Sequence, residues 1–246
     1  MTMRIVIGAQ LAVLLIIWFA APLKVLPNPR EVFAALLHLW TKEGLAAELT
    51  TSVVLNLQAL ALSSLISLGL AYLTVLPFFR PIALAVSKMR FLSLVGFTLV
   101  FTLMLGGGHQ LKLALLVFGM TVFLVTSMAS VVLNIPLAEY DYARTLRMSE
   151  WRVVWEVVIL GTLDQAFEAI RQNAAMGWLM LTLVEGIVRS EGGIGAMILS
   201  YQKYFALPSV FALQFVILFV GLFQDYLIGV IRGIVCPYAD LVIDKR

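Results

Sequence analysis

The sequence predicts an all-α membrane protein with about six transmembrane helices, and two observations carry this prediction. Hydrophobic residues make up 62% of the 246-residue chain and charged residues only 13%, whereas about 25% of the residues in soluble domains are charged. Apolar stretches of roughly 20 residues, the length of a membrane-crossing helix, recur between short segments rich in proline, glycine and charge. We therefore expect one membrane domain over residues 1–246.

The first half of the chain begins with an apolar run at about 5–21. This run is longer than the apolar region of most signal peptides, and further spans follow it. We therefore interpret it as an uncleaved helix rather than a secretory leader. A short helix at about 29–41, with Asn28 as its N-cap, has one apolar face. It is expected to lie flat in the membrane interface or against the bundle. The second span, about 52–76, ends at Pro77.

The other predicted spans end at glycine clusters, prolines or charged residues. They are about 91–105, 111–133, 163–188 and 209–231. The polar loop, residues 137–160, separates the fourth span from the fifth, and its alternating charges exclude it from lipid. Ten Lys and Arg residues fall on the side that carries this loop and both termini, and six fall on the other side. The positive-inside rule therefore places both termini and the polar loop in the cytoplasm.

The polar loop combines aromatic and aliphatic side chains with mixed charges. A short helix bearing Tyr140, Leu146 and Trp151 among charges suits docking into a groove of a soluble partner. The alternative is a solvated loop whose charges only keep it in water. The residues that we assign to a partner contact are Glu139, Tyr140, Asp141, Tyr142, Ala143, Arg144, Leu146, Arg147 and Trp151.

The polar loop also resembles the loop that defines permeases of binding-protein-dependent ABC importers. The likeness lies in LAEYDYARTL at 137–146, SEWR at 149–152 and VVIL at 157–160. The closest branch is the nitrate, taurine and alkanesulfonate type, whose proline run after the first span is similar to LPNP at 26–29. Its glutamate and glycine-rich turn after the fifth span are similar to Glu185 and to GIG at 193–195.

The polar loop departs from the family pattern at four positions. Asp141 stands where the family usually has glutamate, Tyr142 where it has alanine, Arg147 where it has glycine and Leu160 where it has proline, whereas Ala143 is retained. Because glycine takes positive φ at low cost and arginine does not, we expect the turn at Arg147 to be built differently.

The resemblance implies a type I ABC importer permease fold, in which the polar loop forms the coupling helix. The chain would then be a non-catalytic subunit in a bacterial inner membrane. Its expected partners are a second permease subunit, two cytoplasmic ATPase subunits that hold ATP and Mg²⁺, and an extracytoplasmic substrate-binding protein. The implied cargo is a small anion such as nitrate, taurine or a sulfonate.

The predicted fifth span carries a stripe of polar residues at three- and four-residue steps. Ionisable groups inside a span are costly unless they face a partner or a water-filled path. We assign Glu168, Arg171, Trp178, Thr182 and Glu185 to a translocation path. Glu168 and Arg171 can pair with each other. The alternatives are a structural role for the charges near the polar loop and an interfacial role for Glu185.

Two glycine clusters, 106–108 and 192–195, fall on the side opposite the polar loop. Gly107, Gly193 and Gly195 are candidates for a gate or a docking surface for a binding protein, and plain turns are the alternative. Neither cluster matches a phosphate-binding loop. His38 and His109 are far apart in sequence, so we expect no metal site, and nothing in the charge pattern supports nucleic acid binding.

Two other function classes stay open from the residues alone. An ATP-independent secondary transporter or channel would use the charges of the fifth span as a proton or ion relay, although no inverted repeat is recognisable. A membrane enzyme or scaffold ranks last, because the sequence has no histidine pair or acidic cluster of the kind that catalysis needs.

Overall fold

The computed structural model describes residues 27–237 together with Gly8, Gln10 and Val13. Helices account for 86% of the residues that it describes, and these residues form no strand. The all-α class predicted from composition is therefore confirmed for this part of the chain. The predicted first span, 5–21, lies outside the described residues apart from those three positions.

Residues 27–237 form ten α-helices joined by short turns. They are α1 (Pro29–Lys42), α2 (Leu45–Leu73), α3 (Arg80–Lys88), α4 (Leu94–Leu105), α5 (His109–Leu133), α6 (Leu137–Thr145), α7 (Glu150–Val153), α8 (Leu163–Ile187), α9 (Ile194–Lys203) and α10 (Leu207–Val235). A π-helical segment, Val154–Leu160, continues directly from α7.

Three of the described helices, α2, α5 and α10, are long and apolar enough to cross a membrane. A fourth crossing exists if Pro77–Phe91 and Leu94–Leu105, which meet at an angle of 112°, count as one broken span. The chain is thus an all-α membrane protein with three or four candidate spans among its described residues. The total of about six spans stays a prediction.

The segment 91–105 is not a straight crossing helix. Its helical part, α4, has only 12 residues, about 18 Å at 1.5 Å per residue, whereas the hydrocarbon core is about 30 Å thick. Extended backbone at Leu92 and Ser93 separates α4 from the preceding helical turns.

The second span begins at Leu45, earlier than the predicted residue 52, and ends at Leu73. Glu48 lies in the first turn of α2, where an acidic side chain is favoured by the helix dipole. The observed bounds of α5, α8 and α10 lie within a few residues of the predicted 111–133, 163–188 and 209–231. However, α8 is not among the described helices that are apolar enough to be candidate spans, so the fifth span stays a prediction.

The bundle is built around α5, which packs along α2 and also contacts α3, α4 and α8. Along its length α2 buries a row of small and polar side chains. They are Ser52, Asn56, Ala59, Ser63, Ser67 and Ala71. Lipid tails are as apolar as a leucine side chain, so helices in a membrane associate through close packing rather than through the hydrophobic effect. Small side chains let the helix backbones approach closely. On the other side, α8 contacts α5, α9 and α10.

The short helix predicted at 29–41 is α1. Its N-terminus is capped as expected, because the Glu31 carboxylate accepts a hydrogen bond of 3.1 Å from the Asn28 backbone N–H. One flank of α1 packs against the bundle through Val32 and Leu39, which join a core with residues of α9 and α10.

Candidate functional site

Most of the sequence-predicted site residues lie towards the two opposite ends of α8, and Trp178 lies between them. The polar loop, 137–160, precedes the start of α8 at Leu163, and the glycine turn, 192–195, follows its end at Ile187. We call these the loop end and the glycine end of the bundle.

The polar loop contains a helix, α6, that ends in a Schellman turn. The Met148 N–H donates to the Ala143 carbonyl at 3.4 Å and the Arg147 N–H donates to the Arg144 carbonyl at 2.9 Å. Arg147 has a φ of 56°, the left-handed conformation that favours glycine. The expectation that arginine would change this turn is therefore wrong, since Arg147 adopts the conformation that glycine takes at low cost.

Large apolar side chains of the polar loop project away from the bundle. Tyr142 is 68% exposed, Leu146 54% and Trp151 75%, whereas Ala143 is buried at 4%. A groove of about 410 Å³ lies between α6 and the π-helical segment, and its lining is mostly apolar. Exposed aromatic groups beside an apolar groove are typical of a protein-docking surface, and π-helical segments often mark functional sites.

A salt bridge holds the two short helices of the polar loop together. Arg144 donates to both carboxylate oxygens of Glu150 at 3.1 Å, and it lies 3.8 Å from Asp141. The hydrogen bond and positive charge of Arg144 lower the pKa of the Glu150 carboxyl. Partial burial, followed by the negative charge of Glu139, raises the pKa of Tyr140.

The charged residues of the predicted stripe join α8 to α10. Arg171 forms a bidentate pair with Asp225 at 2.5 and 2.7 Å and lies 3.7 Å from Glu168. Arg232 pairs with Asp164 at 2.6 Å and with Glu168 at 3.2 Å. The predicted pair of Glu168 and Arg171 is thus the longest contact of a larger network.

Trp178 lies halfway along α8 and takes part in a buried polar cluster. Its indole N–H donates to Gln224 Oε1 at 2.8 Å, and Asn56 Nδ2 donates to the same oxygen at 3.0 Å. Thr182 contributes only a local bond to the Leu179 carbonyl, at 2.9 Å. The stripe therefore divides into a charged network near the loop end and a neutral buried cluster in the middle.

Glu185 is fully buried at the glycine end, where it binds the start of α9. Its carboxylate accepts hydrogen bonds from the Ser52 hydroxyl at 2.6 Å and from the Gly195 N–H at 2.8 Å. The Ile194 N–H donates to Ser52 Oγ at 3.0 Å, and the Gly193 N–H donates to Glu48. Two carboxylates and a hydroxyl thus satisfy three backbone donors at this helix N-terminus.

The glycine turn accepts no larger residue at three positions. A Cβ at Gly192, where φ is +66°, would lie 2.4 Å from Glu48 Oε2. A Cβ at Gly193, where φ is +106°, would lie 2.3 Å from the Glu185 carboxyl carbon, and a Cβ at Gly195 would lie 2.4 Å from the Thr182 carbonyl oxygen. Buried Lys112 donates to the Gly192 carbonyl at 2.8 Å. Gly107 makes no such contact, since nothing lies within 4 Å of a Cβ there, but a Cβ at its neighbour Gly108 would lie 2.6 Å from Glu191 Oε1, beside the glycine turn.

Sequence reasoning missed several residues of these clusters, although most of them are polar or charged residues in apolar helices. They are Glu48, Ser52, Asn56, Lys112, Gln224, Asp225 and Arg232. Polar and ionisable residues in apolar helices are costly and therefore indicate a partner. Asp225 and Arg232, seven residues apart on α10, carried that signal for the charged network.

Comparison with protein-family models and with curated proteins finds no match to this sequence.

Proposed function

We propose that this chain is the permease subunit of an ABC importer, with the polar loop as the docking site for a cytoplasmic ATPase. The observation that carries the proposal is the form of α6, which presents Tyr142 and Leu146 to solvent and ends in a left-handed turn at Arg147. The candidate spans around α5 supply the membrane part of such a subunit.

Coupling requires that force on the polar loop reach the membrane helices. The Arg144–Glu150 salt bridge connects α6 to α7, and α7 continues through the π-helical segment towards α8. Since α8 is joined to α10 by the charged network and to α9 by Glu185, displacement of the loop would move three helices together. This supports the polar loop as a lever, and Gly193 and Gly195 as part of a gate that it moves.

The translocation path of the proposed permease would begin at the charged network. Glu168 and Arg171 are more than one-third exposed, so they are placed to meet water or a charged solute. Trp178 and Glu185 are enclosed by their hydrogen-bond partners and hold neighbouring helices in place. A small anion is the cargo that we propose, delivered by an extracytoplasmic binding protein that sets the selectivity.

The proposed assembly contains two permease subunits, identical or closely related, in a bacterial inner membrane. Two ATPase subunits would hold ATP and Mg²⁺ and would dock on the two polar loops. ATP hydrolysis would then take place on the partner chains, and this chain would contribute the path and the coupling surface.

Co-purification with the candidate ATPase tests the proposal. We expect Tyr142→Asp and Trp151→Ala to release the ATPase, because they remove exposed aromatic contacts without disturbing buried residues. Phe78→Ala is the matched control, since Phe78 is 77% exposed but lies outside the polar loop. Retention by all three variants would show that the loop is not the docking site. Solute uptake by the chain alone in vesicles would favour the ATP-independent transporter instead.

A further inference from the structure

The short helix α1 has a second apolar flank that the described residues do not cover. Phe33, Leu37 and Trp40, spaced by four and three residues, lie together on this flank and are 62%, 52% and 53% exposed. The flank adjoins the one that Val32 and Leu39 bury against the bundle. The remaining surface of α1 is polar or small. It carries Arg30, Glu31, Ala34, His38, Thr41 and Lys42.

The connection between α1 and α2 fixes the depth of α1 along the bundle. Only Glu43 and Gly44 separate the end of α1 at Lys42 from the start of α2 at Leu45, and α2 is a candidate membrane span. Two residues cover at most about 7 Å. The uncovered flank therefore lies at the level where α2 leaves the hydrocarbon core.

A second pair of exposed aromatic residues lies near the same level. Tyr204 is 76% exposed and Phe205 84%, and both directly precede the candidate span α10. Phe205 has a φ of 55°, which is uncommon for a bulky residue. The Tyr201 hydroxyl donates to the Glu43 carboxylate, so this turn lies beside the end of α1.

We propose that the uncovered flank of α1 and the Tyr204–Phe205 pair lie in the headgroup and acyl-chain boundary of the bilayer. Tyrosine and tryptophan are enriched at this depth, and a helix in the interface keeps an apolar side towards the acyl chains and a polar side towards water. Arg30 lies on the helical wheel beside Leu37, where the apolar flank meets the polar one, so its guanidinium reaches the lipid phosphates. This inference does not depend on an ATPase partner.

Spin labels on α1 test the proposal in the full-length protein. Cys236, the single cysteine, is first replaced by serine, and the protein is reconstituted in vesicles of phosphatidylethanolamine and phosphatidylglycerol. Labels are placed at Phe33→Cys and Leu37→Cys, with Ala34→Cys and Thr41→Cys as controls on the polar surface. We expect the ratio of oxygen to nickel-chelate accessibility to be several-fold higher at positions 33 and 37 than at positions 34 and 41.

Two outcomes would overturn the proposal. If positions 33 and 37 are shielded from both reagents, protein rather than lipid covers the flank. If they are as accessible to the nickel chelate as position 34, the flank lies in water. Quenching of tryptophan fluorescence by brominated lipid gives an independent measurement without cysteines, because Trp40→Phe should remove a strongly quenched component.

Discussion

At the residue scale, Arg147 holds a backbone conformation that its side chain does not favour. A left-handed residue with a Cβ costs about 1 kcal/mol relative to glycine. We expect Arg147→Gly to stabilise the end of α6 and to slow hydrogen exchange of the Met148 amide by about fivefold. Arg147→Ala is the control, because it removes the charge and keeps the Cβ. Equal protection in both variants would attribute the effect to charge rather than to backbone conformation.

The fully buried Glu185 carboxylate accepts one hydrogen bond from a hydroxyl and one from a backbone N–H. Glu185→Ala leaves the Ser52 hydroxyl and the Gly195 N–H without this partner. We expect a loss of about 1.5–3 kcal/mol in the free energy of unfolding in detergent. Thr182→Ala, which removes only a local bond on the same helix, should change stability by less than about 0.5 kcal/mol. Similar losses in the two variants would contradict the structural role of Glu185.

At the element scale, the link between α6 and α7 should depend on pH. The pKa of Glu150 is lowered by Arg144, so the salt bridge is fully formed above the ordinary pKa of a glutamate. It is lost as the pH falls through the lowered value, because protonation removes the charge that Arg144 binds. We expect the amides of Glu150–Val153 to lose protection in acid, measured relative to their intrinsic exchange rates at each pH. In Glu150→Gln this step should be absent, and its persistence there would assign it to another group.

The junction of α8 and α10 should depend on the pairing of charges rather than on their positions. Asp225→Arg alone places two cations together, and we expect it to destabilise the protein. Combining it with Arg171→Asp restores an ion pair in reversed order. Because both side chains are more than one-third exposed, we expect a coupling energy of only about 1 kcal/mol in a double-mutant cycle of unfolding. A coupling energy near zero would show that the pair does not hold the helices together.

At the scale of the whole molecule, the sequence predicts helices more reliably than contacts between them. Apolar runs locate both ends of α5 and α10 within a few residues, and Pro77 marks the end of α2, but the start of α2 lies seven residues before the predicted one. The bend before α4 was missed, because hydrophobicity alone does not distinguish a broken segment from a short span. The roles of Ser52 and Glu48 were also missed. Ser52 binds Glu185 and Glu48 binds the Gly193 N–H, but both are distant in sequence from these partners and meet them only because α2 packs beside α8 and α9.

The distribution of Lys and Arg predicts that the polar loop is cytoplasmic, because ten of the sixteen such residues assigned to loops and termini fall on its side of the membrane. The helix α5, with 25 residues, separates that loop from the turn at Gly107 by about 37 Å.

In cells carrying the Cys236→Ser chain, we expect Gly107→Cys to react with a membrane-impermeant maleimide from outside. We expect Tyr142→Cys to react only after the membrane is opened. Both positions suit the test, since Tyr142 is 68% exposed and a Cβ at Gly107 meets nothing within 4 Å. The reverse pattern would place the polar loop away from cytosolic ATPases, and the permease proposal would then fail whatever the loop binds in detergent.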